Sequence, residues 1–435
     1  MFNQSILKDM KKFIAIYILL AAILPAAVFA QVQRSAAFHD KYQLKEVVML
    51  SRHNIRSPLS TNGSALSKMT THQWTNWSSA ASELTLKGGI LETEMGQFFR
   101  KWTVSEGLFK ENQVPSVDEV NVYANSMQRC IATAAYFSTA FMPVGGVKVN
   151  HRYTPSTMDP VFNPVLTKVS DAFKAKAMEQ INAMGGKTGL VGLAKSLKES
   201  YRNISRTLDY PQSEAYKELG DVKYDDTQIT LVKGKEPGMK GTMKNFNSAS
   251  DAFILQYYEE PDADKAAFGE KLTREDWTSI AKVKDVYGDV LFTAPIVAAN
   301  VAHPLLMYMK DELNSKNRKF TFLCGHDSNI ASVNAALGVE RYSLPNSIEK
   351  VTPIGSKVVY EKWIEKATGK EYVGVNLVYQ STDQLQHNAP LDLDHAPQVF
   401  PLSFKGLQKN ADGLYSFEQI NERFEQAVNA YDDIK

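Results

Sequence analysis

The sequence predicts an α/β protein: a central, mostly parallel sheet flanked by helices, with a smaller helical lobe inserted into it. Three stretches carry this reading. Residues 47 to 50, VVML, form an apolar, β-favouring run too short for a helix and suited to a buried strand, and it ends abruptly in the polar turn SRHNIRSP. Residues 319 to 332, KFTFLCGHDSNIAS, repeat the form as strand, then Gly325-His326-Asp327, then a helix from Ser328. Residues 119 to 138 give it a third time, with Glu119 to Tyr123 leading through Asn125-Ser126 into a helix opened by Met127-Gln128-Arg129. Open α/β sheets present ligand-binding groups at such strand ends.

The first thirty residues read as an address. Lys8, Lys11 and Lys12 make a basic start, 13 to 27 is apolar with Pro25 breaking it, and Val28-Phe29-Ala30 ends in small residues suited to cleavage before Gln31. The apolar run approaches membrane-spanning length, but the proline and the small-residue ending favour a cleaved signal peptide and no lasting anchor. Its removal takes away three lysines and one aspartate, so the formal charge goes from +1 to −1. Phosphate-backbone binding needs a clear basic excess, and this balance argues against a nucleic-acid partner. The remaining chain of about 405 residues suffices for one large domain or two.

Residues 62 to 82 read as a polar loop anchored by Trp74 and Trp77. A helix is expected from Thr85, because Leu91, Met95, Phe98 and Trp102 recur on one face. Between 150 and 290 the texture changes to amphipathic helical stretches such as DAFKAKAMEQIN, separated by Gly- and Lys-rich breaks. This region is expected to be the inserted lobe covering the strand ends, with 31–149 and 291–435 forming the α/β domain. Gly185-Gly186-Lys187-Thr188 lacks the first glycine of a phosphate-binding loop, since Ile181 stands there, and reads as a linker. After Pro304, LLMYMKDEL reads as a helix, and 352 to 380 as a hairpin turning at Gly369. Ser416-Phe417-Glu418-Gln419 is a capping box opening a helix with Phe417, Ile420, Phe424 and Val428 on one face.

The chemistry lies in the turns. Arg52 and Arg56 flank His53, and a guanidinium is a planar fork that pairs two-on-two with phosphate oxygens. A histidine between two such forks can attack the phosphorus they polarise. A solvated basic turn is the plainer alternative for so short a cluster. His326-Asp327, taken alone, reads as a helix cap, and Arg129 is as compatible with a cap or salt bridge as with an anion at the helix start. His39, His72, His151, His303, His387 and His395 show no metal-ligand spacing and read as structural or surface residues. Cys130 and Cys324 read as small buried thiols, although export permits a disulfide between them.

RHNIRSP followed far downstream by GHDSNIA resembles the histidine acid phosphatases, a branch of the histidine phosphatase superfamily. The resemblance runs over almost the whole chain after the leader, through LTLKGGILETEMG, YANSMQR, MDPVFNP, EPG, DAFILQYYE and TPIGSKVV. It implies a phosphoglycerate mutase-like fold and an acid phosphomonoesterase acting in the periplasm. It implies His53 as nucleophile forming a phosphohistidine, Asp327 as proton donor, and Arg52, Arg56, Arg129 and His326 as phosphate ligands. No metal or cofactor is expected, because guanidinium groups supply the charge a metal clamp supplies elsewhere. The expected partner is a small phosphomonoester, with a homodimer left open. Two departures bear on substrate: Asn54 stands where most members have glycine, and Leu59 where phytase-type members carry threonine. With Glu236 of the EPG segment expected in the substrate pocket, these favour sugar phosphates such as glucose 1-phosphate. A phytase or broad acid phosphatase is the alternative, and a periplasmic phosphosugar-binding protein without turnover the reading from another class.

Overall fold

The computed structural model describes residues 34–59 and 66–435, so the leader lies outside the described residues. Its centre is a seven-stranded sheet. The strands are β1 (Tyr42–Arg52), β2 (Val120–Ala124), then, beyond a separate pair β3 (Gln228–Thr230) and β4 (Gly238–Lys240), β5 (Phe320–Gly325), β6 (Lys357–Glu365), β7 (Glu371–Tyr379), β8 (Gln398–Pro401) and β9 (Tyr415–Ser416). The order is β2-β5-β1-β6-β7-β8, with β9 also pairing β7.

The α/β class holds, but the sheet is mixed rather than mostly parallel. Only β1–β5 and β2–β5 run parallel; β6 to β9 are added antiparallel. The reason is connection length: a parallel neighbour needs a crossover, whereas β6 and β7 are joined by the tight turn at Gly369 and can only form the expected hairpin. The parallel core positions the site. Arg52 pairs in register with Gly325, and Ala124 with Cys324, so three strands deliver their following turns to one level.

Both faces of the sheet are covered, which is why the strands read as apolar runs. On one side the helices Leu86–Ser105 and Gln128–Phe141 set Met95, Phe98, Phe99 and Phe137 against Val47, Met49 and Phe322. The helices approach so closely that a Cβ on Gly96 would stand 2.5 Å from the Phe137 carbonyl oxygen. On the other side Pro295–Leu313, Asp327–Ala336 and Phe417–Asn429 pack Leu306, Ile330 and Phe424 onto Val48, Leu50 and Tyr360. The last of these helices begins with the expected capping box of Ser416 and Gln419.

One boundary differs from expectation. The helix expected from Leu305 begins ten residues earlier, at Pro295, and runs through Pro304. Proline there deletes one backbone hydrogen bond, but Val301, Ala302, Leu305 and Leu306 around it are all buried, and that burial outweighs a missing bond.

Between 171 and 292 the chain is mainly helical, interrupted by the β3–β4 pair, with Phe173, Tyr201, Phe246, Phe253 and Trp277 in one core. That core takes in Trp74 from the earlier loop and continues into Val297 and Val301. The helices Thr242–Glu259 and Arg274–Phe292 face the ends of β1 and β5 across a cavity.

Candidate active site

The cavity, about 470 Å³, is lined by His53, Arg56, Leu59, Arg129, Glu236, His326 and Asp327, together with Asp251 and Lys284 from the two facing helices. Arg52 is buried behind this lining, with Nη2 3.6 Å from Asp327 Oδ2. All six residues singled out in the three turns therefore converge, although they are spread over 275 positions of sequence. Leu59 is at the mouth, 63 % exposed, and Glu236 is a solvent-exposed residue that also lines the cavity.

The turn that carries the histidine is fixed from several sides. His53 N–H donates to the Gly325 carbonyl, Arg52 N–H to that of Ser356, and Gly355 N–H to that of His53. The residue that replaces the commoner glycine has a structural task. Asn54 is fully buried; its Nδ2 donates to Glu92 Oε2 at 2.9 Å and its Oδ1 accepts from Ile55 N–H at 2.8 Å. Glu92 in turn pairs with the fully buried Lys357 at 2.8 Å. The turn is thus tied to a buried ion pair beneath it. Helix Leu86–Ser105 closes from the other side, where only glycine fits at 88, since a Cβ would meet the Ile55 carbonyl oxygen at 2.2 Å.

The His53 ring is oriented by this backbone. Its Nδ1 lies 2.9 Å from the Asn54 carbonyl, which can only accept, so Nδ1 carries the proton and Nε2 keeps its lone pair toward the cavity. Burial and the nearby Arg129, Arg56 and Arg52 charges hold its pKa well below the ordinary imidazole value, so the ring is neutral.

His326 has the same tautomer, for an equally local reason. Asn125 Oδ1 accepts from Asp159 N–H, which turns Asn125 Nδ2 to within 2.7 Å of His326 Nε2. That nitrogen must accept, leaving Nδ1–H to donate on the side where Arg129 Nη2 stands 3.4 Å away.

The arginines are half satisfied. Arg52 Nη1 donates to Glu349 at 2.7 Å and to the Thr352 carbonyl at 2.6 Å, and Arg56 Nη2 donates to Asp251 at 2.9 Å. Yet the Nε–H groups of Arg52, Arg56 and Arg129 are all buried without a protein acceptor. One orphaned donor is costly; three around one cavity mark a site built for an anion with several acceptor oxygens.

Asp327 lies opposite His53, with Oδ2 2.8 Å from Lys284 Nζ. Burial works against its charge, but Lys284 and Arg52 hold the carboxyl well below the usual carboxylate range. Asp251 is treated alike: burial raises it, and Arg56, Lys284 and Arg52 bring it below its ordinary value.

Lys284, Glu349, Asp251 and Asn125 went unassigned in the sequence. Asp251 and Asn125 sit inside matched segments, so their neighbourhood was visible but not their partners. Lys284 looks like any polar position of an amphipathic helix, and Glu349 is a lone carboxylate on a loop. Cys130 and Cys324 are free buried thiols beneath His326, with Cys130 Sγ 3.8 Å from its Nε2. His39 bonds Glu106, His72 pairs with Asp209 and His303 stacks on Tyr431, all away from the cavity.

The profile of the histidine phosphatase superfamily (branch 2) matches residues 43–378. The chain belongs to this family. Glucose-1-phosphatase of Salmonella typhimurium is 37 % identical over 417 residues, covering 94 % of this chain and 98 % of its own. Glucose-1-phosphatase of Providencia rettgeri is 37 % identical over 422 residues, covering 95 % and 99 %. Among solved structures, the apo phytase of Hafnia alvei superposes with a TM-score of 0.81 at 27 % identity, covering 91 % of this chain and 98 % of that one. This histidine phosphatase is accordingly a phosphomonoester hydrolase, of the acid phosphatase type.

Proposed function

We propose that the enzyme hydrolyses sugar phosphates such as glucose 1-phosphate through a phosphohistidine on His53. The observation that carries the mechanism is the free Nε2 of a neutral His53, set among arginines whose Nε–H groups have no protein acceptor. Those donors, with Nδ1–H of His326, hold the equatorial oxygens and offset the charge of a phosphomonoester, which otherwise repels a nucleophile. Nε2 attacks phosphorus in line; the P–O bond to the alcohol breaks, and the leaving oxygen takes a proton from Asp327. Water then attacks the phosphohistidine, giving its proton to Asp327, and inorganic phosphate departs.

For the substrate, the support is the 37 % identity to two glucose-1-phosphatases and the character of the cavity's outer part. Leu59 offers no charge there, while Glu236 and Asp289 repel additional phosphates and accept hydrogen bonds from hydroxyls. A phytase reading is favoured by one observation, that Lys244 also lines the cavity, and by the likeness to the Hafnia alvei phytase. Comparing kcat/KM for glucose 1-phosphate and inositol hexakisphosphate decides. The sugar phosphate is expected to be the better substrate; preference for inositol hexakisphosphate with removal of several phosphates would establish a phytase. Export to the periplasm with cleavage before Gln31 belongs to the same proposal, and the intact mass of the enzyme from a periplasmic extract tests it.

A further inference from the structure

The proposed mechanism gives no task to Lys284, a largely covered cation in the cavity wall. Lys284, on helix Arg274–Phe292, is 11 % exposed and reaches to the ends of the parallel strands. Its Nζ bonds Asp327 Oδ2 at 2.8 Å and Glu349 Oε1 at 3.3 Å. Glu349 is itself fixed, by Arg52 Nη1 on Oε1 and by Ile354 N–H on Oε2 at 2.9 Å. Arg52 Nη2 returns to Asp327 Oδ2, which closes a ring of alternating charges: Arg52, Glu349, Lys284, Asp327. The other oxygen of Asp327, Oδ1, accepts from Ser328 N–H at 2.9 Å. Both carboxylate oxygens are therefore held, Oδ1 by the helix backbone and Oδ2 by Lys284 and Arg52. An ammonium has three donors; two are committed here, and the third is free for an oxygen in the cavity.

We propose that Lys284, anchored by Glu349, is the positioning residue of Asp327, orienting Oδ2 toward the leaving oxygen and setting the pH at which it can hold the proton. The inference rests on the acid role given to Asp327 above. The groups that face Asp327 are Arg52 and His53 from β1 and its turn, Lys284 and Tyr287 from the roofing helix, and Glu236, with Arg129 beyond them. Of the cations, Lys284 is nearest. Removing an adjacent opposite charge raises a carboxyl pKa by about 1–3 units. Without Lys284 the protonated acid therefore survives to higher pH in the enzyme–substrate complex.

The structure also indicates that the change is tolerated. Glu349 keeps Arg52 as a partner, and Asp327 keeps Arg52 and is 38 % exposed, so Lys284→Met leaves no carboxylate buried alone. The test is the pH dependence of kcat at saturating glycerol 2-phosphate, an alkyl ester that needs its leaving group protonated, for wild type, Lys284→Met and Lys284→Arg. The alkaline limb is expected to move up by about one pH unit or more in Lys284→Met and to stay in place in Lys284→Arg. The same substrate serves all three, so its own ionisation cancels. A uniform fall in kcat at every pH with an unmoved limb, or an equal shift in both variants, overturns the proposal. Absence of wild-type turnover on p-nitrophenyl phosphate would instead bring down the phosphatase mechanism on which it rests.

Discussion

Asn54 offers the sharpest test of how the catalytic turn is held. Replacing it by alanine deletes two buried hydrogen bonds at once, from Nδ2 to Glu92 and from Ile55 N–H to Oδ1. A bond to a charged acceptor contributes about 1.5–3 kcal/mol, and an orphaned buried donor costs about 1–3 kcal/mol. Their effects overlap, since both come from one side chain, so a loss of about 3 kcal/mol is expected. It should appear as a lower guanidinium midpoint with an unchanged slope. Turnover should fall as well, by roughly tenfold, because displacement of a reacting group by an ångström costs up to about 10²-fold. Asn54→Asp is the informative control. It keeps size and the Oδ1 acceptor but sets a second carboxylate against Glu92, and it should destabilise more than alanine. If Asn54→Ala loses less than about 1 kcal/mol and turns over normally, the turn is held by its backbone alone, and the argument from Glu92 and Lys357 is wrong.

Two further outcomes follow from the site. His53→Ala should abolish turnover, and wild type quenched without acid on labelled substrate should yield an alkali-stable, acid-labile phosphoenzyme, in the presence of EDTA as in its absence; label on a serine refutes the nucleophile. Because the His53 pKa is held well below its ordinary value by burial and neighbouring cations, lowering the pH leaves Nε2 unprotonated where a free imidazole, with pKa about 6.5, would be mostly charged. The profile of kcat/KM should therefore show no acid limb near 6.5, and a tenfold loss between pH 6.5 and 5 would contradict the electrostatics.

The strand-to-turn form was legible because burial on both faces leaves apolar runs, and an arginine or histidine at their ends is conspicuous. The parallel register that makes Arg52 level with Gly325 was implied by the convergence of the motifs but written nowhere in them. What stayed hidden were the partners. Glu349 and Arg52 meet across 297 positions, and no local pattern announces a carboxylate whose task is to hold a distant guanidinium. Asn54 was visible as a departure from the family pattern, and its meaning emerged only with Glu92 and Lys357 beneath it. Pro304 misled because a proline is a strong local signal of a helix boundary, while the burial that overrides it is a tertiary effect.

The two sides of the cavity are poised in opposite senses. His53 is kept neutral, so the nucleophile is ready before substrate arrives, whereas Asp327 is kept ionised, so the acid is unloaded. A carboxylate clamped by Lys284 and Arg52 acquires its proton only when something offsets those cations. The phosphate does so by taking their charge to itself and adding negative charge beside the carboxyl. A phosphomonoester has a second pKa near 6, so in mildly acidic solution much of it enters as the monoanion and brings a proton with it. Attack, charge transfer to the arginines and loading of the acid then become parts of one binding event. The carboxylates Asp251 and Glu349 have their place in the same scheme, because they compensate Arg56 and Arg52 while the cavity holds no anion and keep the cations folded into position. Phosphate oxygens then compete for guanidinium groups already aimed at them.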